Sequence, residues 1–384
     1  MKRKICVVVA SRANYGRVKY LLKALKDLEN IELQIIVGAS MMLDRFGKAI
    51  DVLESDGFTP NRCLYYVIEG ETLSTQAKST GLGIMELSNA FEDLKPDLVV
   101  AIADRFETMS TAIASSYLNI KLVHIQGGEI SGNIDERVRH AITKLSDLHF
   151  PSSEESRKRL IKMGENPKYI YNFGCPAMDI LKNEDLDINN KLMSQYNGVG
   201  SQIDWTKPFI LLSQHPVTTS YGDGRIQITA TLEALKQIKT IQKIVLWPNM
   251  DAGSDDVAGG IRRFREHNTY ENFKYFKIFP PEIYARILNN AACVVGNSSS
   301  FIRECSFLGV PAVIVGNRQE GREHSDNVIY SSYESSDIFT KIQAQLAHGK
   351  YKSNKIFGSG DAGKKIAHIL KTIDIQDIEK RNTY

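Results

Sequence analysis

Short apolar runs rich in valine, isoleucine and leucine alternate with longer amphipathic segments along nearly the whole chain. This alternation is typical of βαβ units, in which helices connect the strands of a parallel sheet. It predicts strands at 5–10, 32–38, 97–103, 120–126 and 146–150 in the first half, and at 209–214, 243–247, 275–279, 292–296 and 311–315 in the second. The polar stretch 183–207, with its Asn-Gly and Gly-Ser turn signals, separates the two sets and is predicted to be a linker.

The length of 384 residues supports the same division, because single hydrophobic cores seldom grow to that size. We therefore predict an α/β protein with two domains, 1–182 and 205–360, and a further helix within 361–384. A hydrophobic fraction of 42% and a charged fraction of 24% are ordinary for a globular protein, so both domains are expected to have packed cores. Two cores imply a cleft between them.

The net charge is only +3, and acidic and basic residues are interleaved. That distribution argues against nucleic acid or an anionic membrane as the main partner, so any bound anion is expected to be small. The five cysteines are odd in number and far apart, which predicts neither a disulfide framework nor a zinc site. The first apolar run, 5–10, is too short to span a membrane, and we interpret it as a buried strand of a cytoplasmic protein.

Several charged or polar residues follow predicted strands at the point where each strand ends. Open α/β sheets bind ligands at the carboxyl ends of their strands, so these positions are the candidates for a site. They are Arg12, Asp104, Arg105 and Glu129 in the first half, and His215, Asn249, Ser298, Ser299 and Arg318 in the second. Edges that face each other across a cleft would combine these groups into one site.

The run Gly-Asn-Ser-Ser-Ser at 296–300 lies between an apolar strand and an amphipathic segment that ends at Gly309. It places Ser298 and Ser299 at the amino terminus of a helix, where free N–H groups and the helix dipole favour a phosphate. Ordinary N-capping explains these serines equally well. Glu304, further along the same segment, is placed to accept hydrogen bonds from ribose hydroxyls, although a solvated helix charge is the simpler interpretation.

Three carboxylates are predicted near the edge of the first sheet. Asp104 and its neighbour Arg105 follow a strand whose composition indicates burial on both faces, and Glu129 follows two glycines that permit a tight turn. Asp135 lies at a predicted helix start, with Arg139 four residues on and on the same face. A structural ion pair or ordinary helix support explains each feature alone. Their occurrence together is what indicates acid–base chemistry.

Two histidines and a pair of arginines complete the candidates. His215 ends a strand, and its near-neutral pKa suits proton transfer or a hydrogen bond to phosphate, with a structural histidine as the alternative. His140 lies beside Arg139 in the predicted helix. Arg318 and Arg322 lie in a glycine-flanked loop, which fits bidentate recognition of an anion and also fits solvated loop charges.

The segment 358–363 matches the Gly-x-Gly-x-x-Gly dinucleotide fingerprint, but its context excludes that function. No long buried strand precedes it, as the fingerprint requires. We interpret the segment as a glycine-rich turn that opens the last helix, where it could touch a phosphate from the side. No nicotinamide, other cofactor or metal is therefore predicted.

With these motifs assembled, the chain resembles the hydrolysing UDP-N-acetylglucosamine 2-epimerases of sialic-acid-type pathways over essentially its whole length. The resemblance is carried by Ser-Arg-Ala-Asn-Tyr (11–15), Gly-Gly-Glu-Ile-Ser-Gly (127–132), Arg-His-Ala-Ile-Thr-Lys-Leu (139–145), Gln-His-Pro-Val-Thr-Thr (214–219), Asp-Ala-Gly-Ser (251–254), Gly-Asn-Ser-Ser (296–299) and Arg-Gln-Glu-Gly-Arg-Glu (318–323). It implies the GT-B fold, with two Rossmann-like domains facing each other and the last helix packed back on the first domain. It also implies a homodimer or homotetramer with a nucleotide-sugar substrate.

The resemblance further implies how the residues divide the work. In such enzymes the C2 proton and the nucleoside diphosphate leave together to give a glycal, to which water adds with the opposite configuration at C2. The nucleotide is implied to contact Arg12, Ala13, His215, Asn249, Ser298, Ser299, Glu304 and Arg318. Asp104, Glu129 and Asp135, with His215, are implied to carry the proton chemistry, and Arg105, Arg139 and His140 to shape the sugar pocket.

Three positions depart from the family pattern, in which glycine is common at Ala103 and acids are common at Asn14 and Gln126. A neutral residue at 126 lowers the charge of the pocket and leaves the sugar open. The expected substrate is UDP-N-acetylglucosamine, and the alternative is a UDP- or GDP-linked 2,4-diacetamido-2,4,6-trideoxyhexose of a legionaminic-type pathway. The alternative functions are a GT-B glycosyltransferase, a non-hydrolysing 2-epimerase and an inactive nucleotide-sugar sensor.

Overall fold

The first sheet has six strands, all parallel, in the order β3-β2-β1-β4-β5-β6. We describe it from a computed structural model that covers residues 2–267 and 272–383. The strands are β1 (Arg3–Val9), β2 (Ile31–Gly38), β3 (Arg62–Leu64), β4 (Leu98–Ile102), β5 (Lys121–Ile125) and β6 (Leu148–Phe150). This order is that of the Rossmann fold. The chain adds strands towards one edge of the sheet up to β3 and then towards the other edge from β4, so the strand order reverses between β1 and β4.

The second sheet has seven strands in the order β13-β12-β11-β8-β9-β10-β7. They are β7 (Val199–Gly200), β8 (Phe209–Ser213), β9 (Gln242–Leu246), β10 (Phe273–Phe276), β11 (Cys293–Gly296), β12 (Ala312–Val315) and β13 (Val328–Ser331). All neighbours run parallel except β7, which pairs antiparallel with β10 at the sheet edge. The central strands are completely buried, as expected when helices cover both faces of a parallel sheet.

Helices connect the strands in both halves of the chain. They are α1 (Arg12–Lys26), α2 (Ile50–Ser55), α3 (Leu73–Leu94), α4 (Phe106–Tyr117), α5 (Asp135–Leu145), α6 (Glu154–Lys162), α7 (Ala177–Asn183), α8 (Asn190–Met193), α9 (Gly224–Gln237), α10 (Ser254–His267), α11 (Pro281–Asn290), α12 (Ser300–Leu308), α13 (Ser335–His348) and α14 (Ala362–Thr372). Within residues 2–267 and 272–383, each helix is too short or too polar to cross a lipid bilayer.

All ten predicted strands are present, with their ends displaced by at most three residues. The largest displacement is at β10, which ends at Phe276 instead of 279, because Phe279 leaves the sheet and packs in the core beside the prolines that start α11. Three strands were not predicted: β3, β7 and β13. They are short and lie at or near sheet edges, so little of their sequence is buried and the apolar pattern is weak.

The chain passes between the two cores at two neighbouring points. Phe173 packs against the first core, whereas Cys175 and α7 belong to the second, so the crossing precedes the linker predicted at 183–207. The return crossing follows Phe357, whose carbonyl accepts a hydrogen bond from the Cys175 N–H at 2.7 Å. Gly174 there has φ +84°, and a Cβ on it would lie 2.3 Å from the Cα of Gly358, so both crossings require glycine.

We call the two parts of the molecule the first unit (residues 2–174 and 359–383) and the second unit (residues 175–267 and 272–358). The helix α14 belongs to the first unit, because its Ile366 and Leu370 are buried in the core beside α1. The helices on the outer faces of both sheets leave the carboxyl strand ends uncovered. These two edges enclose the cleft described below.

The glycine-rich turn before α14 has a structural role. The carboxylate of Asp179 in α7 accepts hydrogen bonds from the N–H groups of Ala362 (3.0 Å) and Gly363 (2.7 Å), the first residues of α14. A carboxylate from the protein thus occupies the position at the helix amino terminus where a phosphate would bind. The turn is also absent from the residues that line the cleft, so neither a dinucleotide nor a sideways phosphate contact is supported there.

Asp179→Ala is expected to lower the free energy of unfolding by about 1–2 kcal/mol, because two buried N–H groups of α14 lose their acceptor. Asp179→Asn retains one acceptor oxygen and is expected to lose less. Asp361→Ala is the matched control, since Asp361 precedes the helix but its side chain does not cap it. Urea denaturation of the three variants measures the difference, and equal losses for Asp179 and Asp361 would contradict the assigned cap.

Candidate active site

A cleft between the carboxyl edges of the two sheets brings together most of the predicted site residues. Its lining includes Arg12, Ala13, Asp104, Arg105, Asp135, His215, Asn249, Ser298, Ser299, Glu304 and Arg318. The remaining three predicted residues, Glu129, Arg139 and His140, are not part of the lining. The first two lie directly behind it and contact residues that do line it, as described below.

Asp104 is aimed into the cleft by a strained backbone and held by a buried arginine. The preceding residue, Ala103, has φ +67°, a left-handed conformation that costs a non-glycine residue about 1–2 kcal/mol. The Asp104 carboxylate accepts from Nε (2.9 Å) and Nη2 (2.5 Å) of Arg139, which is completely buried. Burial alone raises the pKa of Asp104, but the nearby guanidiniums, Arg139 first, hold this pKa well below its ordinary value. Asp104 is therefore an anion.

Glu129 joins the two units through a pair of buried arginines. Its carboxylate forms an ion pair with Arg303 at 2.8 Å and a second, closer one with Arg322, both from the second unit. All three side chains are at least 95% buried. Burial raises the pKa of Glu129, but Arg303, Arg322 and then Arg139 lower it to about 2. Glu129 is thus permanently ionised and holds the two units together beside the cleft.

Asp135 has the opposite electrostatic environment. It is the first residue of α5, and its Oδ2 accepts from Nδ2 of Asn133 at 2.9 Å and lies 3.6 Å from Nη2 of Arg318. Burial, followed by the negative charges of Asp104 and Asp251, raises the pKa of Asp135 to about 6. The carboxylates Asp104 and Asp135 therefore differ in protonation at mildly acidic pH, as an acid–base pair requires.

The sequence placed Asp135 and Arg139 on one helix face, with His140 beside them, and the structure separates the three side chains. Arg139 turns to Asp104 and Glu136, so it does not pair with Asp135. His140 Nε2 contacts Glu136 at 2.8 Å, with the ring about 29% exposed and outside the cleft lining. The helix period is right, but the turn of the chain before α5 decides which side chain reaches the cleft.

His215 is neutral and presents an N–H group. Burial, then the positive charge of Arg318, lowers its pKa to about 3. Its Nδ1 accepts a hydrogen bond from the backbone N–H of Asn249 at 3.2 Å, so the ring proton is on Nε2. Asn297 fixes the loop, because its Oδ1 accepts from the His215 N–H (2.7 Å) and its Nδ2 donates to the His215 carbonyl (2.9 Å). The ring can therefore donate a hydrogen bond to an anion.

The amino terminus of α12 forms the cationic end of the cleft. The hydroxyl of Ser299 accepts from Nη2 of Arg303 (2.8 Å) and makes no capping hydrogen bond. The N–H groups of Phe301 and Ile302 donate to the carbonyls of Ser298 and Ser299 (3.1 and 3.2 Å), so the N–H groups of Ser299 and Ser300 are the ones that a ligand can use. Ser298 instead contacts Ser300 at 2.9 Å. Plain N-capping therefore does not account for these serines. Arg12 and Arg318 lie in the same lining, so this end of the cleft suits a diphosphate.

Sequence reasoning missed four residues at the site: Arg17, Arg303, Arg322 and Asp251. Arg17 and Arg303 line the cleft with Arg322. Arg322 was noted as a loop arginine and Asp251 as part of a motif, but neither was assigned to the site. Arg17 is four residues after Ala13, and Arg303 is four residues after Ser299. Helical spacing from those predicted residues is the signal that could have found them.

No group of three or more histidine, cysteine, aspartate or glutamate side chains is arranged to hold a metal ion in the described parts of the chain. The groups present in the cleft are guanidiniums, hydroxyls and free N–H groups, together with two carboxylates that differ in pKa. Such an arrangement can bind a phosphorylated sugar and move protons at its carbon atoms.

Comparison with known families agrees with this geometry. A model of the family described as UDP-N-acetylglucosamine 2-epimerase matches residues 23–371. The chain belongs to this family. The epimerase is 33% identical to the UDP-N,N'-diacetylbacillosamine 2-epimerase (hydrolyzing) of Legionella pneumophila over 100% of both chains. It is 29% identical to the UDP-N-acetylglucosamine 2-epimerase of Neisseria meningitidis, over 97% of this chain and 95% of that one.

Solved structures confirm the fold of the epimerase. The crystal structure of a UDP-GlcNAc 2-epimerase from Neisseria meningitidis bound to UDP-GlcNAc superimposes with a TM-score of 0.76 at 18% identity, covering 96% of this chain and 99% of that one. The two Rossmann-like units facing across a cleft are those of the GT-B fold, as the sequence predicted. The family match also confirms that the chain is an epimerase.

Proposed function

We propose that the epimerase is a hydrolysing enzyme that converts UDP-N-acetylglucosamine to N-acetylmannosamine and UDP. One observation carries the proposal: a cationic pocket for a diphosphate and two carboxylates with separated pKa values share one cleft. Carbon 2 has no adjacent carbonyl, so its proton is poorly acidic. Departure of a stabilised diphosphate has to drive the reaction, which requires both groups of residues at one anomeric centre.

The environments of the carboxylates support a division of roles that the sequence left open. Asp104 is ionised and fixed by Arg139, so it can accept the C2 proton, while the same guanidiniums that lower its pKa make it a weak base and leave the departing diphosphate to drive the step. Asp135 holds a proton near pH 6, which suits protonation of the glycal from the other face. Glu129 is too acidic to donate a proton at neutral pH, so in this proposal it positions Arg303 and Arg322.

The leaving diphosphate is proposed to bind at the amino terminus of α12 in the second unit, with Arg12 of the first unit beside it. The N–H groups at the start of α12 and the guanidiniums of Arg12 and Arg318 stabilise its developing charge. His215 adds a neutral N–H donor. Glu304 remains the candidate for the ribose hydroxyls, since it lines the cleft and one of its buried oxygens lacks a partner.

A UDP-linked 2,4-diacetamido-2,4,6-trideoxyhexose is the second candidate substrate. The Legionella relative, identical at 33% of positions over the full length, is named for such a sugar. Gln126, where acids are common in the family, is buried and donates to Cys175 Sγ at 2.9 Å, behind the cleft lining. Because Gln126 lies behind the lining, the support for this second substrate is the similarity to the Legionella relative.

Proton NMR of reactions without an acceptor tests these proposals. Purified protein is incubated with UDP-N-acetylglucosamine or with the 2,4-diacetamido analogue. Release of UDP and free N-acetylmannosamine supports the first substrate, and release of the free 2-epimerised diacetamido sugar supports the second. An epimerised sugar that remains on UDP would indicate the non-hydrolysing reaction. No turnover without an acceptor would indicate a glycosyltransferase, and UDP binding without any turnover a sensor.

The pH profile of kcat/KM is expected to show an ionisation with an apparent pKa near 6, with activity falling as pH rises through it. The physical reason is that Asp135 must carry a proton, and burial with two neighbouring anions raises its pKa to about 6. In Asp135→Asn this limb should be missing and kcat should fall by about 10²–10⁴-fold. A limb that persists in the variant would assign the ionisation to another group.

The cytoplasmic location and the homodimer or homotetramer inferred from the resemblance remain proposals. Light scattering on the purified protein reports the oligomeric state directly. A monomeric mass at micromolar concentration would contradict the proposed assembly.

A further inference from the structure

Asp251 lies between the two units at a position that none of the proposed steps uses. It is in the loop between β9 and α10 and is 3% exposed. Its carboxylate accepts from Nδ2 of Asn249 (2.6 Å) and lies 2.9 Å from Nη2 of Arg105 and 3.3 Å from Nη2 of Arg318. One buried carboxylate thus holds an arginine from each unit.

These contacts belong to a longer series of alternating charges. Arg105 lies 3.2 Å from Glu107 on one side and 2.9 Å from Asp251 on the other, measured between nitrogen and oxygen. Arg318 in turn lies 3.3 Å from Asp251 and 3.6 Å from Asp135. Glu107, Arg105 and Asp135 belong to the first unit, and the other two belong to the second. The series therefore crosses the cleft twice, and separation of the units would break it at both crossings.

Arg318 keeps a donor group that the protein does not use, since its Nε is buried without a hydrogen-bond partner. Nε and Nη2 of Arg105 lie within ion-pair distance of Glu107 and Asp251 but make no well-aligned hydrogen bond with them. Unpartnered buried donors are costly, and native proteins retain them where a ligand supplies the acceptor. Both residues line the cleft. An ion pair with a purely structural role would satisfy the Nε donor of Arg318 within the protein.

We propose that Asp251 is a positioning residue of the epimerase, which sets the guanidiniums of Arg105 and Arg318 for the substrate only when the two units are closed. The inference deepens the proposed function and rests on it. Asp251 does not touch the reacting atoms in this scheme. It acts through the two arginines and, electrostatically, through the acid Asp135.

The electrostatic part has a definite sign. The negative groups that face Asp135 are Asp104, Asp251 and Glu107, and the positive groups are Arg318 and Arg105. Removing the charge of Asp251 takes away one group that raises the pKa of Asp135 and leaves both arginines. The pKa of Asp135 then falls, so the enzyme loses its proton donor at a lower pH.

The test compares Asp251→Asn with the control Asp255→Asn, whose side chain is 66% exposed in the first turn of α10. Asp251→Asn is expected to lower kcat by about 10–100-fold and to move the limb of kcat/KM assigned to Asp135 to lower pH by at least half a unit. Asp255→Asn should leave both unchanged. A loss of kcat with the limb in its wild-type position would overturn the proposal, and so would wild-type kinetics.

Two further measurements keep the result decisive. If Asp251→Asn does not fold, Asp251→Glu keeps the charge on a longer side chain. It should lower kcat at least tenfold with an unmoved limb, and an unchanged kcat would overturn the proposal.

Calorimetric binding of UDP separates this inference from the proposed function. If no nucleotide sugar is turned over, the proposed function fails. In that case, UDP binding by Asp251→Asn that is about tenfold weaker than wild type still supports the positioning role. Equal binding by the two proteins refutes it.

Discussion

Asp104→Asn is expected to lower kcat by about 10³-fold and the free energy of unfolding by about 3 kcal/mol. The kinetic loss follows if Asp104 is the base, because an amide cannot accept the C2 proton. The stability loss follows because Arg139, which is completely buried, loses the anion that accepts from two of its nitrogens. Steady-state kinetics and urea denaturation of the variant measure both.

Asp93→Asn is the matched control for this prediction. Asp93 pairs with Arg62 at 3.2 Å, but its side chain is 62% exposed, so its ion pair is expected to contribute less than about 1 kcal/mol. If Asp104→Asn kept more than a tenth of the wild-type kcat, Asp104 would not be the base.

Glu129→Gln is expected to reduce the free energy of unfolding by about 3–5 kcal/mol and to weaken UDP binding. The variant leaves Arg303 and Arg322 buried without their common counter-ion, at a buried ion-pair contact between the units. Arg303 also donates to Ser299 at the phosphate end of the cleft, so its displacement disturbs the nucleotide site. Denaturation and calorimetry measure the two effects, with the exposed Glu320→Gln as control.

A second substitution distinguishes the loss of an ion pair from a general packing defect. Adding Arg322→Met to Glu129→Gln removes one of the uncompensated buried charges, so stability should partly recover while activity does not. A double variant that is less stable than Glu129→Gln would show that the arginine stabilises the fold independently of Glu129.

Local patterns in the sequence were sufficient for the strands and for the residues that follow them. Asp104, His215 and Ser298 each come directly after or near an apolar run, and parallel strands bring such positions to one edge. The family motifs then added the facing arrangement of the two sheets. These inferences need only the chain direction and the identity of nearby residues.

Long-range partners could not be predicted in the same way. Nothing local indicates that Glu129 pairs with Arg303 and Arg322 across about 170 to 190 residues, or that Asp251 meets Arg105. The pKa values of Asp104 and Asp135 could not be predicted either, because charges from both units set them. For His140 the helix was predicted correctly, but the sequence did not determine that its ring would face Glu136 and not the cleft.

Ala103 and Gln126, two of the positions that differ from the family pattern, both lie in turns with left-handed backbone conformation. The φ of +67° at Ala103 explains why glycine is common there, and the neighbouring turn at Gln126 has φ +69°. Both turns end strands of the first sheet and aim the residues that follow them. The departure at 103 is therefore one of backbone strain, whereas the departure at 126 changes charge.

The paired crossings at Gly174 and Gly358 determine how the protein can be divided into fragments. A piece that stops after the first crossing lacks Ile366 and Leu370, and the apolar surface they cover would be open to water. The amino-terminal half can thus be isolated only with the far end of the chain attached to it. The intervening segment, by contrast, begins and ends at adjacent points and can be excised as an insert whose ends a short peptide would join.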